Sequence, residues 1–252
     1  MRRLLRCETV ERALLMGLTS VLLMAAGAAC VDAQLLLVPM DRTQTNHLKA
    51  YGLTYWTLER VGRAEWLLNY RGGSFLLPDI EGVRREAALR GVDVEPIGGA
   101  DEAAIRGIIA ESNMDAVVLE KAPKVAIYTP PNATPWDDAV TMALNYAGIP
   151  YETIWDREVV AEDVTEYEWL HLHHEDFTGQ YSKFYITFAG SPWLQDEVAR
   201  NREMAVQLGF ADVTGLKKAV ASKIRSYVEN GGFLFAMCNA TETLELALAA
   251  EE

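Results

Sequence analysis

Cysteine and histidine are scarce in this chain of 252 residues, which contains three cysteines and four histidines. Two of the cysteines, Cys7 and Cys30, lie in an N-terminal stretch that we predict to be removed. Cys238 would then be the one remaining thiol, which excludes a disulfide within the mature chain. A solitary thiol in an exported protein is typical of a reactive group or of a bond to another molecule.

Basic residues are also few, because 23 lysines and arginines face 36 acidic residues and the formal net charge is −13 at pH 7. Such a balance argues against binding to nucleic acid or to anionic membrane surfaces. We therefore expect the partner to be a small polar ligand or substrate rather than a nucleic acid.

The first 33 residues have the pattern of a secretory signal peptide. A basic start at Arg2, Arg3 and Arg6 precedes an apolar core over residues 13–26, and Ala33 closes a small-residue cleavage site. We predict an exported protein, periplasmic or secreted, with no membrane span after cleavage. Residues 1–33 hold four arginines and three acidic residues, so the mature net charge is −14.

Two alternatives use the same N-terminal stretch. A membrane anchor needs about 20 apolar residues, whereas this core is shorter and is interrupted by Thr19 and Ser20. Lipidation would use Cys30, but Gly27 stands where a lipoprotein signal has a larger aliphatic residue. Cleavage fits the residues better than either alternative.

Strand-like and helix-like segments alternate after the signal, which predicts an α/β protein. We divide it into an N-terminal α/β region over residues 34–122 and a second α/β domain over residues 123–252. The second domain opens with a strand at Lys124–Thr129, a helix that begins at Thr134 and a strand at Tyr151–Ile154. This order predicts a parallel sheet, and the absence of phosphate-binding glycines argues against a nucleotide site. Phe184–Phe188 is predicted as an apolar patch or short strand.

The stretch Gly231–Thr241 carries the strongest indication of chemistry. Five apolar residues lead from Gly232 to Cys238, and helix-forming residues follow. We predict that a buried central strand turns into a helix at Cys238, as at a nucleophile elbow, where a helix N-terminus stabilises a thiolate. The alternative is that Cys238 is one more small buried apolar residue.

Three of the four histidines lie at positions 171, 173 and 174, followed by Glu175 and Asp176. The segment ends a predicted strand, and open α/β sheets bind ligands at this end of their strands. His174 could act as a base oriented by Glu175 or Asp176, whereas His171 and His173 share a strand face and suit zinc. A purely structural role for the histidines remains open.

A second candidate site is the turn after the strand Glu65–Tyr70. Arg71 could hold an anion, and Gly72 and Gly73 would let a ligand approach the backbone closely. The alternative is a plain surface turn.

The glycine pair, the following strand and Cys238 resemble the class I glutamine amidotransferase-like fold, which the ThuA-like proteins share. The resemblance covers residues 124–252 and implies a three-layer, flavodoxin-like parallel sheet, with Glu175 and the backbone near His174 facing Cys238. The chain ends at Glu252 on the helix after the elbow, so we expect a fold that is incomplete at its C-terminus. Asn239-Ala240 replaces the glycine that usually follows the cysteine within two residues.

Three longer strings resemble an exported bacterial group that is commonly labelled asparagine synthetase B. They are Asn46–Gly52, Leu67–Phe75 and His171–Tyr181. That label implies glutamine-hydrolysing asparagine synthesis, which needs a cysteine at the mature N-terminus and a pyrophosphate-binding loop. The chain has neither, so the residues do not support the label.

We therefore predict a hydrolase or amidotransferase-like enzyme with Cys238 as nucleophile and His174 and Glu175 as its helpers. Arg71, Gly72, Gly73 and Asp176 are the candidate ligand-binding residues. This mechanism requires no cofactor, although zinc held by His171 and His173 would permit hydrolysis through metal-bound water. The alternative from another class is a non-catalytic protein that binds a ligand or partner.

Overall fold

A computed structural model describes residues 35–134, 138–161 and 164–250 of the chain. The predicted signal peptide lies outside these residues. The described strands are β1 Leu35–Val38, β2 Ala64–Leu68, β3 Phe75–Pro78, β4 Glu95–Ile97, β5 Asp115–Leu119, β6 Val125–Tyr128, β7 Glu152–Ile154, β8 Trp169–Leu172 and β9 Phe233–Ala236. The described α-helices are α1 His47–Val61, α2 Glu81–Arg90, α3 Gly99–Glu111, α4 Ala139–Ala147, α5 Asp156–Ala161, α6 Ser182–Phe188, α7 Pro192–Gln207, α8 Val213–Glu229 and α9 Cys238–Ala249.

The N-terminal strands form their own sheet in the order β4-β1-β3-β2-β5, and every neighbouring pair is antiparallel. The region therefore does not extend the predicted parallel sheet. Alternation of strands and helices does not determine strand direction. Here a short turn connects β2 directly to β3, so these two strands run antiparallel. The strand β3 pairs with both β1 and β2, although its four residues escaped the sequence analysis.

Arg71, Gly72 and Gly73 form that turn, and all three have positive φ angles of 44°, 84° and 91°. The Arg71 guanidinium donates hydrogen bonds to both carboxylate oxygens of Glu95, at 2.8 and 2.9 Å, and to Asp41 at 2.7 Å. The carboxylates of Asp41 and Glu95 thus bind the Arg71 guanidinium, which was predicted to hold an anion. These contacts fix a strained turn, and the ligand role predicted for the three residues stays a prediction.

The C-terminal strands form a parallel sheet in the order β7-β6-β8-β9, as predicted from the β-α-β pattern. One face packs against α8 and α9 through residues such as Leu216, Val220 and Leu244. The other face packs Val125 and Ile127 against Leu144 of α4. The two faces place α4 and α9 on opposite sides of the sheet.

The strand β9 differs from its prediction as a buried central strand. It lies at the edge of the described parallel sheet, with β8 as its neighbour. Phe233 and Phe235 are 60% and 38% exposed, because alternate side chains of β9 point to a face that the described helices do not cover.

Residues 182–188 form the helix α6, where an apolar patch or short strand was predicted. The spacing of the aromatic residues explains the difference. Phe184 and Phe188 are four positions apart, and both contact the ring of Trp193 in α7. Residues at this spacing share one face of a helix.

The two sheets are joined through α1 and α4. An added Cβ at Gly52 of α1 would lie 1.9 Å from the carbonyl oxygen of Ala147 in α4. The Arg90 guanidinium donates a 2.8 Å hydrogen bond to the same oxygen, and the Asn46 amide donates one to the hydroxyl of Tyr146 at 2.8 Å. Among the described helices, none has both the length and the apolar character needed to cross a membrane.

We expect the substitution Gly52→Ala to lower the free energy of unfolding by about 1–3 kcal/mol, because the new methyl group would overlap backbone atoms of α4. Gly107→Ala is the matched control, since Gly107 lies in α3 with no atom within 4 Å of an added Cβ. The control should be neutral or stabilising by up to about 1 kcal/mol, as alanine favours a helix. Urea unfolding of both variants checks this, and an equal effect at the two sites would contradict the close contact.

Candidate functional site

A cavity of about 940 Å³ lies at the carboxyl end of the parallel sheet. Thr129, Trp155 and His173 reach it from the ends of β6, β7 and β8, and Asn239 reaches it from the start of α9. The helices α7 and α8 supply the opposite wall, including Trp193 and Lys217. The cavity therefore occupies the position at which parallel α/β sheets bind their ligands.

Cys238 is placed beside this cavity by the turn from β9 into α9. Its φ angle is +49°, a value that residues other than glycine rarely adopt. The residue is exposed and stands at the N-terminus of a twelve-residue helix. A strained residue between a strand and a helix is the local geometry of a nucleophile elbow, in agreement with the predicted turn.

The loop after β8 is fastened to this turn by backbone hydrogen bonds. The amide of Met237 donates to the carbonyl of Leu172 at 3.0 Å, and the amide of Ala240 donates to the carbonyl of His173 at 3.1 Å. The Thr243 hydroxyl donates to the carbonyl of Glu175 at 3.0 Å. These bonds hold the histidines next to the cysteine.

Ring nitrogens of His173 and His174 and the sulfur of Cys238 all lie within 4.8 Å of one another. The two rings are close, with centroids 3.6 Å apart. Burial lowers the pKa of His173, and the neighbouring His174 lowers it further, against the opposing charge of Asp138. His173 is therefore neutral near pH 7 and able to accept a proton from the thiol.

Asp138 connects these histidines to α4. Its carboxylate caps the helix by accepting a 2.8 Å hydrogen bond from the amide of Val140 and a 2.9 Å bond from the hydroxyl of Thr141. It also lies 2.9 Å from Nε2 of His171 and 3.2 Å from Nδ1 of His173. Although burial acts in the opposite direction, these donors and histidines keep the pKa of Asp138 below its ordinary value.

The sequence analysis predicted that this helix begins at Thr134 and gave Asp138 no functional role. The described helix begins at Ala139, and residues 135–137 lie outside the described part. The partner histidines lie 33 and 35 positions further along the chain, and no local pattern shows contacts over such separations.

His171 is fully buried, and both of its ring nitrogens face acceptors. Nδ1 lies 3.0 Å from the carbonyl oxygen of Phe235, and Nε2 lies 2.9 Å from Asp138. Both contacts are hydrogen bonds only when the ring carries two protons. Both ring nitrogens of His171 thus have partners within the chain, and the metal role predicted for His171 and His173 stays a prediction. His173, His174 and Cys238 form a group with the donor types of a zinc site.

Glu175, predicted as a catalytic helper, accepts a 2.9 Å hydrogen bond from the backbone amide of His173. Its carboxylate therefore fixes the loop that carries the histidines. Burial raises the pKa of Glu175, although the amide of His173 and the charge of Lys217 oppose that effect. The predicted ligand residue Asp176 does line the cavity.

A buried ion pair that the sequence analysis missed stands in the cavity wall. Lys217 is 3% exposed, and its Nζ lies 2.8 and 3.0 Å from the two carboxylate oxygens of Asp156 and 2.9 Å from the hydroxyl of Tyr128. A signal was present, because Lys217 sits among Val213, Val220 and other buried residues of the apolar stripe of α8. A lysine in such a stripe needs a buried partner.

Compared with models of protein families, with curated proteins and with solved structures, the chain matches none.

We expect Glu175→Gln to change how stability depends on pH. In the folded protein the pKa of the Glu175 carboxyl lies above its ordinary value of 4.5. The protonated carboxyl therefore contributes its full share of stability below pH 4.5, and this share is lost as pH rises through the folded pKa. The glutamine keeps a hydrogen-bond acceptor for His173 and lacks this loss.

Urea unfolding between pH 4 and pH 8 measures this effect. The stability of Glu175→Gln relative to the unsubstituted protein should rise with pH, and the rise should exceed any seen for the exposed control Glu245→Gln. If the stabilities of Glu175→Gln and of the unsubstituted protein changed in parallel with pH, burial would not control the ionisation of Glu175.

Proposed function

We propose that this protein is a thiol-dependent hydrolase that cleaves a small polar amide. The observation that carries the proposal is the placement of Cys238 at a positive φ angle between β9 and α9, with ring nitrogens of His173 and His174 within 4.8 Å of the sulfur. An activated cysteine needs a nearby base and a group that orients the base. His173 and Asp138 supply the two.

The strand order supports the finer description of the fold as flavodoxin-like and similar to the amidotransferase-like fold. Counted from β6, the parallel strands lie in the order 2-1-3-4, which matches the beginning of the flavodoxin-like order 2-1-3-4-5. Helices on both faces of the sheet agree with three layers. In that arrangement the elbow and the loop after the third strand face each other, as Cys238 and His173 do.

The proposed reaction begins when His173 takes the proton of the Cys238 thiol and the sulfur attacks the amide carbonyl carbon. The carbonyl oxygen becomes anionic, and the N-terminus of α9 stabilises this charge. The C–N bond then breaks, and the leaving nitrogen receives the proton from His173. Water, deprotonated by the same imidazole, attacks the thioester and releases the acid and the free thiol.

Asp138 acts in this scheme as a positioning residue. Its oxygen lies 3.2 Å from Nδ1 of His173, which has no hydrogen-bond partner of good geometry among the described residues. The imidazolium that forms during the reaction carries a positive charge next to that carboxylate. The attraction stabilises the charged intermediate more than the neutral ground state.

A second candidate function uses the same three residues to hold a metal ion. Two histidines and a cysteine are zinc ligands in proteins, and three ligands leave a fourth position for water. Hydrolysis would then proceed through metal-bound water. The two candidates compete, because a thiolate bound to zinc is not a free nucleophile.

We also propose export, which the basic start, apolar core and small-residue cleavage site of residues 1–33 support. The solitary Cys238 of the mature chain would then work in a compartment that permits disulfides. A non-catalytic binding protein is the remaining alternative, and thiol reactivity separates it from the enzyme.

We expect iodoacetamide to alkylate Cys238 at pH 7 about tenfold faster than it alkylates glutathione, since a neighbouring imidazole takes the thiol proton. His173→Asn should reduce the rate toward that of glutathione. His47→Asn is the control, because His47 lies in the helix α1 of the N-terminal region and does not line the cavity. Peptide mass spectrometry identifies the alkylated residue.

The same proteins are then assayed for ammonia release from a panel of carboxamides that includes glutamine. Cys238→Ala should abolish the release. Alkylation at the rate of glutathione, unaffected by His173→Asn, would contradict the thiol mechanism and favour the binding protein.

Elemental analysis separates the thiol from the metal candidate. We expect substoichiometric zinc in the purified protein and in the variants His173→Ala and His47→Ala. Stoichiometric zinc that is lost in His173→Ala and retained in His47→Ala would instead establish the metal candidate.

A further inference from the structure

The cavity beside Cys238 carries more acidic than basic groups. Lysine and arginine contribute only Lys217 and Arg200 to its described lining. The lining carboxylates are Asp138, Glu175, Asp176, Glu197 and Glu203. Five carboxylates against two basic groups give the lining a net charge of about −3 from these side chains, which attracts cations and repels anions.

The two basic residues do not neutralise the interior of the cavity. Lys217 is already paired with Asp156, which adds another acidic group directly behind the wall. Arg200 is exposed. Burial raises the pKa of Glu197 and the charge of Asp176 adds to that rise, although Arg200 and Lys217 oppose it. Glu197 thus lies in a half-buried, electronegative part of the cavity.

Asp176 has a carboxylate oxygen that lacks a donor. Its Oδ1 accepts hydrogen bonds from the amide and the hydroxyl of Thr178, at 2.9 and 2.6 Å. Its Oδ2 is sealed from solvent and has no hydrogen-bond partner in the described part of the chain. Leaving a charged oxygen without a donor is costly, so this oxygen is poised to accept a hydrogen bond from a ligand.

Tyr181 also lines the cavity near Asp176, and it too has a buried oxygen without a hydrogen-bond partner among the residues that the structure describes. Its hydroxyl is buried without a hydrogen bond of good geometry to a described residue. Burial raises the pKa of Tyr181, and the adjacent Asn201 amide partly offsets the rise. Tyr181 also has a positive φ angle of 60°, so the backbone is strained where it directs this side chain.

Aromatic rings complete this part of the cavity. Phe184 and Trp193 line it and pack edge to face, with centroids 6.3 Å apart. Trp155 also lines the cavity, and Nζ of Lys217 lies 4.0 Å from the centroid of its ring. Aromatic faces attract ammonium and guanidinium groups more strongly where water is excluded.

We propose that the cavity binds a cationic ligand, whose ammonium or guanidinium group donates hydrogen bonds to Asp176 and Tyr181 and lies near Glu197 and Trp193. The proposal deepens the proposed function, since it assigns the substrate class: an amide that carries a cationic group at its far end. Binding itself does not require the thiol to react.

The test uses three amides of similar length that differ in their terminal group. They are 6-aminohexanamide, hexanamide and adipic acid monoamide, which are cationic, neutral and anionic. Titration calorimetry with the Cys238→Ser protein measures binding without thiol chemistry. We expect the cationic amide to bind at least about tenfold more tightly than the neutral amide, and the anionic amide to bind most weakly.

Asp176→Asn should remove most of this preference while it keeps the Oδ1 acceptor for Thr178. Glu197→Gln is the second variant and should reduce the preference in the same direction. Glu242→Gln is the control, because this exposed residue of α9 does not line the cavity, and it should leave the preference unchanged.

Equal binding of the cationic and neutral amides, tighter binding of the anionic amide, or no binding of the cationic amide at millimolar concentration would overturn the inference. The result is distinguishable from failure of the proposed function. An unreactive Cys238 with selective cation binding would leave a cation-binding protein, whereas a reactive Cys238 without charge selectivity would leave a hydrolase of another substrate class.

Discussion

The carboxylate of Asp138 is the interaction on which the site depends. It caps α4, accepts a hydrogen bond from the buried His171, and lies beside the ring of His173. One group therefore aligns a helix, a central strand and the loop that carries the candidate base. Without it, the buried Nε2 of His171 would lose its hydrogen-bond partner, and a buried polar group without a partner is destabilising.

The cavity is built on a second buried charge arrangement, in which Lys217 joins α8 to Asp156 at the start of α5 and to Tyr128 at the end of β6. The hydroxyl of Tyr128 also donates to Asp156. Burial, followed by the charge of Asp156, raises the pKa of Tyr128 far above its ordinary value. Its phenol thus stays protonated and remains a donor, so the wall keeps one hydrogen-bonded arrangement across the neutral pH range.

The features that were predictable from the sequence are those that short segments determine. Local patterns located the strands β6 and β7, and the apolar run followed by helix-forming residues placed Cys238 between β9 and α9. Strand direction in the N-terminal sheet and the edge position of β9 depend on long-range pairing, which periodicity does not contain. Asp138 escaped notice for the same reason, since its partners lie on β8 and in the loop that follows.

The close approach of α1 to α4 also determines whether the parallel half could fold apart from the antiparallel half. Gly52, Arg90 and Asn46 belong to the antiparallel half, yet they pack on or bond to the helix whose first turn is capped by Asp138. The Tyr55 hydroxyl adds a 2.9 Å bond to the carbonyl of Pro123, at the boundary between the halves. The parallel half is therefore not an interchangeable unit, because a transplanted copy would have to bring a substitute for α1 or leave that face of α4 bare.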